Sequence, residues 1–428
     1  MPGMQYWNPE AETLSRDRLH ELQLARLNER LAYVYERVPF YNRAFDEARV
    51  RPELSSLEGL SGFPFTRKKD LRDNYPAGLF AVPLEQCLRV HASSGTRGKP
   101  TIVGYTRQDL ADWAETCARA IVSAGGQPGD VIQNAYGYGL FTGGFGFHQG
   151  AELIGMTVVP TSSGNSARQI LMLQDLGAKG LCCTPSYALN LGDTMREMGV
   201  DAAALRLRYG LFGAEPWTEQ LRQQIEQAIP GLRACDVYGL SEIVGPGVAV
   251  DCSERNGLHI QEDQFLPEIV DPSTGEPLPS GSDGELVLTN LKKEALCLIR
   301  YRTGDICRLS EEPCPCGRTS VRMSKIKGRT DDMLIIRGVN VFPSEIEAAL
   351  LAVPDVAPHY QLVVTREGAL DAIEVQVEAV AQAAEGFESR LARQLYEMLG
   401  LGCRVTLQPA KTIPRSEGKA IRVVDKRT

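Results

Sequence analysis

No run of apolar residues in the chain approaches the ~18 consecutive positions that cross a bilayer, so no helical membrane span is expected. The opening Met1-Pro2-Gly3-Met4-Gln5-Tyr6-Trp7 has neither a basic region nor an apolar one, so no secretory signal is expected either. Positive charge is in deficit. Lys and Arg number 46 against 54 Asp and Glu, a formal net charge of −8. Nucleic-acid binding usually needs the opposite balance, so no such partner is expected. Internal repeats and low-complexity tracts are absent. Gly (41) and Pro (25) are too few for a fibrous chain of 428 residues. What remains is an ordinary globular composition, 43% hydrophobic and 23% charged, long enough for two or three domains at ~150 residues each.

Cysteine stands out against that background. There are 11, an odd number, in a long chain without an export signal. Such a set points to a reducing cytoplasm, where thiols serve as core hydrophobes, reactive groups or metal ligands.

Along the chain, Leu19, Leu22, Leu27, Leu31, Val34 and Val38 recur at near-helical spacing, giving an amphipathic helix that ends near Pro39 and packs on a larger core. Between Leu88 and Val250, apolar runs alternate with helical patterns: Val131–Ala135, Thr157–Pro160, Gly180–Thr184, Arg208–Phe212 and Arg233–Tyr238. That alternation predicts an α/β fold with buried, largely parallel strands. Glu285–Leu288 and Cys297–Tyr301 read as more purely β. After Gly328 the pattern changes to a small α+β module, with alternating Ile373, Val375 and Val377, a helix over Phe387–Leu399 and a strand over Arg404–Leu407. The polar stretch Lys325–Asp332 separates the two parts, giving expected domains over 1–329 and 330–428.

The first segment with evident chemistry is His91-Ala92-Ser93-Ser94-Gly95-Thr96-Arg97-Gly98-Lys99-Pro100. Glycines let backbone N–H groups approach an anion, and hydroxyls and cations complete the cradle. It is not a Walker A loop, because Gly95 and Gly98 are too close and Pro100 follows Lys99. The loop resembles the phosphate loop of the adenylate-forming superfamily of acyl-CoA synthetases, peptide-synthetase adenylation domains and luciferases. Further segments resemble that family's motifs, in its order. These are Phe212-Gly213-Ala214-Glu215-Pro216, Tyr238-Gly239-Leu240-Ser241-Glu242, Tyr301-Arg302-Thr303-Gly304-Asp305, Gly328-Arg329-Thr330-Asp331-Asp332 and Pro414-Arg415-Ser416-Glu417-Gly418-Lys419. Within the superfamily, Tyr136 to Gly144, Ile335 to Pro343 and Pro414 to Ala420 resemble the phenylacetate–CoA ligase group, over nearly the whole chain.

The resemblance implies a large amino-terminal domain, a small mobile carboxy-terminal domain, and a two-step reaction. A carboxylate attacks the α-phosphate of ATP, giving an acyl-adenylate and pyrophosphate; a thiol, usually that of coenzyme A, then displaces AMP. It implies that Ser93, Ser94, Thr96 and Lys99, with Gly95 and Gly98, hold the β- and γ-phosphates. Ser241 binds phosphate and Glu242 binds Mg²⁺, a hard cation suited to carboxylate oxygens. Tyr238 stacks on adenine beside Gly239, and Gly213, Ala214, Glu215 and Pro216 line the base. Asp305 accepts the ribose hydroxyls, supported by Arg329, and Asp331 is the hinge. Lys419 bridges the acid and the α-phosphate as charge builds between them.

The acid pocket is expected around Tyr136, Phe141, Gly143, Gly144, Phe147, His148, Gly245 and Pro246, where aromatics and small residues suit a flat ring. The run Phe145-Gly146-Phe147-His148-Gln149 departs from the group's pattern. The acid therefore stays open among benzoates, phenylacetates and indole acetate. Carrier-protein loading, adenylylation of a cofactor hydroxyl and non-catalytic nucleotide binding are the competing readings. A homodimer is the group's expectation.

Finally, Cys252, His259, Cys314 and Cys316 form a ligand set that suits tetrahedral Zn²⁺. Cys314-Pro315-Cys316-Gly317 is a turn that presents both sulfurs. Four protein ligands leave no open position, so the expected role is structural.

Overall fold

The structure is a computed structural model that describes residues 5–93, 100–330, 334–336, 339–353, 356–367, 370–379, 386–400, 402–415 and 420–427. The amino-terminal helix runs Arg16–Arg37. Ser15 caps it by accepting from the Arg18 N–H, and the chain leaves it at Val38, just before Pro39. Its apolar stripe of Leu27, Leu31 and Val34 is buried with Phe45, Leu266 and Ile299. The helix is therefore one wall of a larger core, as its spacing predicted.

The described strands build a 12-stranded mixed sheet. Its parallel half, in spatial order, is Thr157–Val159, Val131–Asn134, Gly180–Cys183, Tyr209–Gly213 and Arg233–Leu240. Gly180–Cys183 and Tyr209–Gly213 are buried at every position. Helices on both faces of a parallel sheet produce such unbroken apolar strands. At Gly245–Asp251 the direction reverses. The sheet then continues antiparallel through Leu258–Ile260, Arg322–Met323, Tyr301–Ser310, Asp283–Asn290 and Phe265–Val270. One expectation needs correcting. Residues 297–300 are not strand, and the strand begins at Tyr301. Arg300 takes a left-handed φ of 47°, which breaks the ladder there. The Asn290 side chain supplies the missing partner by accepting from the Leu298 N–H at 3.0 Å.

A separate hairpin pairs Arg89–Ser93 with Thr101–Tyr105, ending at the Ser93–Thr101 pair. The small module has its own four-stranded sheet, ordered Arg404–Gln408, Leu370–Ala379, Val356–Glu367 and Val423–Asp425. The helices Pro343–Leu351 and Phe387–Leu399 cover it through Ile346, Leu350, Leu391 and Leu395. Ile373, Val375 and Val377 do alternate into that core. No helix of the described residues is long and apolar enough to cross a membrane, and none of the eleven cysteines is in a disulfide.

Trp113 joins the core to the bend where the sheet reverses. It is fully buried and stacks on Tyr105 with centroids 5.0 Å apart. Its indole N–H donates to the Pro246 carbonyl at 3.0 Å. Gly245, at φ 110°, is pressed so close that a Cβ would sit 2.5 Å from the indole ring. Trp113→Ala is expected to lower unfolding free energy by about 3–5 kcal/mol, read by denaturant titration.

Candidate active site

Open α/β sheets bind ligands outside the carboxyl ends of their parallel strands. Here those ends are Asn134, Cys183, Gly213 and Leu240, and the segments that leave them carry most of the singled-out residues. The turn after Arg233–Leu240 holds Ser241 and Glu242, both buried. Gly239 makes that turn possible, because a Cβ there would meet the Gly245 carbonyl oxygen at 2.0 Å. Ser241 Oγ shares a hydrogen bond with Thr142 Oγ1 at 2.9 Å, and Lys68 Nζ lies 3.5 Å from Glu242 Oε1. Beneath the turn, buried Lys293 donates to the Ile243 carbonyl at 2.8 Å and sits 4.2 Å from the Tyr105 ring centroid. Burial pulls the Lys293 ammonium down to about 8, and the nearby Asp109 and Glu242 carboxylates oppose that shift.

Asp305 lies next to this turn on Tyr301–Ser310, cross-strand from Arg329. The Tyr238 hydroxyl donates to its Oδ2 at 2.6 Å, and Arg329 Nη1 donates to its Oδ1 at 2.7 Å. Tyr238 thus fixes Asp305 with its hydroxyl while its ring remains half-buried. Burial and the Asp305 carboxylate together hold the Tyr238 phenol well above its ordinary range, so it stays a donor. Glu215 follows Gly213 and Ala214, and Ala214 is left-handed at φ 70°. Its carboxylate accepts from the N–H groups of Ser186 and Ala420, each at 2.8 Å. Pro216 beside it is exposed.

Ser93 ends its strand with a buried hydroxyl that finds no partner among the described residues. Ala92 N–H donates to the Leu140 carbonyl at 3.0 Å, which joins this hairpin to the loop carrying Thr142. Ser94, Gly95, Thr96, Gly98, Lys99, Asp331 and Lys419 lie outside the described residues.

The aromatic residues line up along the loop before Gly143–Ile154 and on that helix. Tyr136 is buried over Phe147, with centroids 5.7 Å apart and planes 17° from parallel. Gly143 and Gly144 are also buried, Gly144 giving its carbonyl to Asn134 Nδ2 at 2.7 Å. Phe141 is 40% exposed and packs over Gly143, while Gly245 and Pro246 meet Trp113 across the turn. His148 faces outward, its ring nitrogens within 3.1 Å of the Tyr138 hydroxyl and of Glu152 Oε1.

A second centre lies apart from this one. Cys252, His259, Cys314 and Cys316 are all buried, and their ligand atoms lie within 4.8 Å of one another. Cys252 Sγ is 3.7 Å from Cys314 Sγ, and Cys316 Sγ is 3.4 Å from His259 Nε2. Ligands on a tetrahedron with ~2.3 Å metal–sulfur bonds stand at about such separations. Ser320 Oγ lies 3.2 Å from His259 Nδ1, so Nε2 is turned inward. The Cys252 thiol and the His259 ring hold Cys316 on the thiolate side. The donor set therefore fits Zn²⁺.

Sequence reasoning missed Lys68, Thr142, Trp113 and Lys293. Lys68 sits in the run Arg67-Lys68-Lys69, which reads as a solvated face. Thr142 lay inside a recognised string, and that was the available signal. Nothing in the sequence marks Lys293 as buried.

Comparison with known proteins gives the family. The model of the AMP-binding enzyme family matches residues 64–291, and that of the AMP-binding enzyme C-terminal domain matches 338–427. The phenylacetate-coenzyme A ligase of Thermus thermophilus is 54% identical over 98% of this chain and 99% of its own. That of Escherichia coli is 50% identical over 97% of each. Among solved structures, 2-hydroxyisobutyryl-CoA ligase in its postadenylation state superposes with a TM-score of 0.93 at 31% identity, covering 99% of this chain and 93% of that one. The same enzyme with coenzyme A in its thioesterification state gives 0.75 at 32% identity, with the same coverage. The chain belongs to the AMP-binding enzyme family, in its phenylacetate–coenzyme A ligase group.

Proposed function

We propose that the protein is an ATP-dependent, AMP-forming ligase that joins an aromatic carboxylic acid of the phenylacetate class to coenzyme A. The observation that carries this is convergence. Thr142, Glu215, Tyr238, Ser241, Glu242, Asp305, Arg329 and Ala420 come from segments spread over most of the chain, yet contacts tie them around the carboxyl ends of two neighbouring strands.

The chemistry to be met is the attack of one anion on another. Glu242, buried and paired with Lys68, is the residue to hold Mg²⁺, which would neutralise phosphate charge when bound. Ser241 and Ser93 offer hydroxyls to phosphate, with Ser94, Gly95, Thr96, Gly98 and Lys99 completing the loop. Asp305 presents a carboxylate pre-set by Tyr238 and Arg329 for the ribose hydroxyls, while Gly213, Ala214 and Pro216 border the base. The acid lies against Tyr136, Phe141, Gly143, Gly144, Gly245 and Pro246. Phe147 shapes that slot from behind Tyr136. His148, already engaged on the outer side of its helix, borders the slot.

We place the domain boundary between residues 329 and 330, with Asp331 as the hinge. Its support is the separate core of the carboxy-terminal module. Lys419, next to Ala420, is the adenylation lysine, since a mobile ammonium can bridge both reacting anions. Cys252, His259, Cys314 and Cys316 hold a structural Zn²⁺ that ties the segment after Gly245–Asp251 to the loop between Tyr301–Ser310 and Arg322–Met323.

Two measurements test this. With phenylacetate, ATP and Mg²⁺ but no coenzyme A, the protein is expected to release pyrophosphate, and Lys419→Ala to slow that release by about 10²-fold or more. An aryl-acid panel giving no pyrophosphate from the unaltered protein would end the proposal. Metal analysis is expected to find about one Zn per chain. Cys314→Ser should lower both the zinc content and the melting temperature.

A further inference from the structure

One helix of the large domain carries a row of contacts to the small one. It runs Pro185–Glu197, capped by the Thr184 hydroxyl. Ser186, Asp193 and Glu197 stand at i, i+7 and i+11, which a 3.6-residue repeat places on one face. Each position in that row meets the small domain, directly or through one side chain. Asp193 Oδ2 is 3.2 Å from His359 Nε2, on Val356–Glu367. Glu197 Oε1 is 2.5 Å from Lys411 Nζ. The Ser186 N–H donates to Glu215 Oε1, and Glu215 Oε2 accepts from the N–H of Ala420, both at 2.8 Å.

These contacts differ in weight. Glu197 and Lys411 are more than half exposed, so their pair contributes little. His359 and Asp193 are more enclosed, and the ring draws the Asp193 carboxyl below its ordinary range despite its burial. The Glu215 bridge is the most directional. Its two oxygens are divided between the first turn of the helix, where orphan N–H groups and the helix dipole favour an anion, and the backbone at Ala420. The left-handed backbone at Ala214 turns Glu215 out of its strand toward both.

We infer that Glu215 is an interdomain latch. It is a positioning residue that clamps the backbone at Ala420 to the helix Pro185–Glu197, and so holds the small domain in the pose that forms the adenylate. The closer superposition on a postadenylation state than on a thioesterification state accords with that pose. The latch must open for the second half-reaction, because the segment carrying Ala420 leaves with the small domain. This rests on the ligase reading above and changes one assignment within it: Glu215 serves the domain contact rather than the adenine.

Glu215→Gln keeps the size of the side chain but leaves only one acceptor oxygen for two N–H donors. It is expected to slow the pyrophosphate burst without coenzyme A by roughly tenfold. The KM for ATP should be unchanged, and the rate of thioester formation from supplied phenylacetyl-adenylate and coenzyme A should stay within about twofold of the unaltered protein. Asp193→Asn should show the same split, more weakly. A raised KM for ATP with an unchanged burst rate would return Glu215 to the adenine and overturn the latch. An equal loss in both half-reactions, or no loss in either, would also overturn it. A second readout is independent of the substrate. Glu197→Cys with Lys411→Cys is expected to cross-link readily with a short bis-maleimide, and to lose most of that yield once Glu215→Gln is added. Equal yields would refute the latch even if the acid proved to be a different one.

Discussion

The site hangs on a turn of a few residues, Leu240–Val244, that must carry a buried carboxylate and a buried hydroxyl without unfolding the bend around them. A buried ion is costly unless charge and hydrogen bonds meet it. The fold pairs that carboxylate with one lysine and braces the turn around it. Lys68 reaches Glu242 from the amino-terminal region, Thr142 takes Ser241 from the loop before an adjacent helix, and Tyr105 donates to the Val244 carbonyl at 2.9 Å. Lys293 donates to the Ile243 carbonyl from beneath. Trp113 supports the far side through Pro246. Gly239 is needed because the hairpin closes too tightly for a Cβ, and Gly245 because the Trp113 ring leaves no room for one.

That arrangement also explains the placement of the other groups. Asp305 approaches from the antiparallel half of the sheet, and Tyr238 reaches across to it from the strand that ends in the turn. The point where parallel strands give way to antiparallel ones is therefore where the residues proposed for the nucleotide and for the acid come together. The small domain meets the large one through the face of Pro185–Glu197 and the Glu215 bridge, and through its helix Pro343–Leu351, which packs on the helix Glu219–Ala228 with Leu351 against the large domain's core. The charged and hydrogen-bonded part of that interface is thin beside the apolar core that each domain keeps for itself. The cysteine centre serves neither task. It lies buried at its own corner of the sheet, joining strands that are distant in sequence.

Most of the architecture was legible because its signals are local. The parallel strands lie within a residue or two of their expected positions, since runs such as Gly180–Thr184 are apolar throughout and bounded by turns. Residues 297–300 misled for a physical reason. Their apolar side chains are buried as a strand's would be, but Arg300 is left-handed and Asn290 substitutes for the ladder. Burial alone does not distinguish a strand from a well-packed loop. The motif residues were legible as types, because a phosphate loop, a carboxylate for a metal and a paired thiol set each impose spacing on the chain.

The sequence by itself determined the family and marked the residues proposed to act: the glycine-rich loop, Glu242, Asp305, Lys419 and the Cys/His set. These are demands of covalent chemistry and short-range geometry, and they are written into contiguous segments. Only the tertiary structure decided what each side chain faces. Glu215, which the motif placed beside the base, turns out to bridge Ser186 and Ala420. Tyr238 spends its hydroxyl on Asp305, and Lys293, indistinguishable in sequence from a solvated lysine, is buried under the turn. The reason is that a partner 29 to 205 residues away leaves no periodicity in the chain. Charge, burial and hydrogen-bond satisfaction act on distances in space, which only the folded chain fixes.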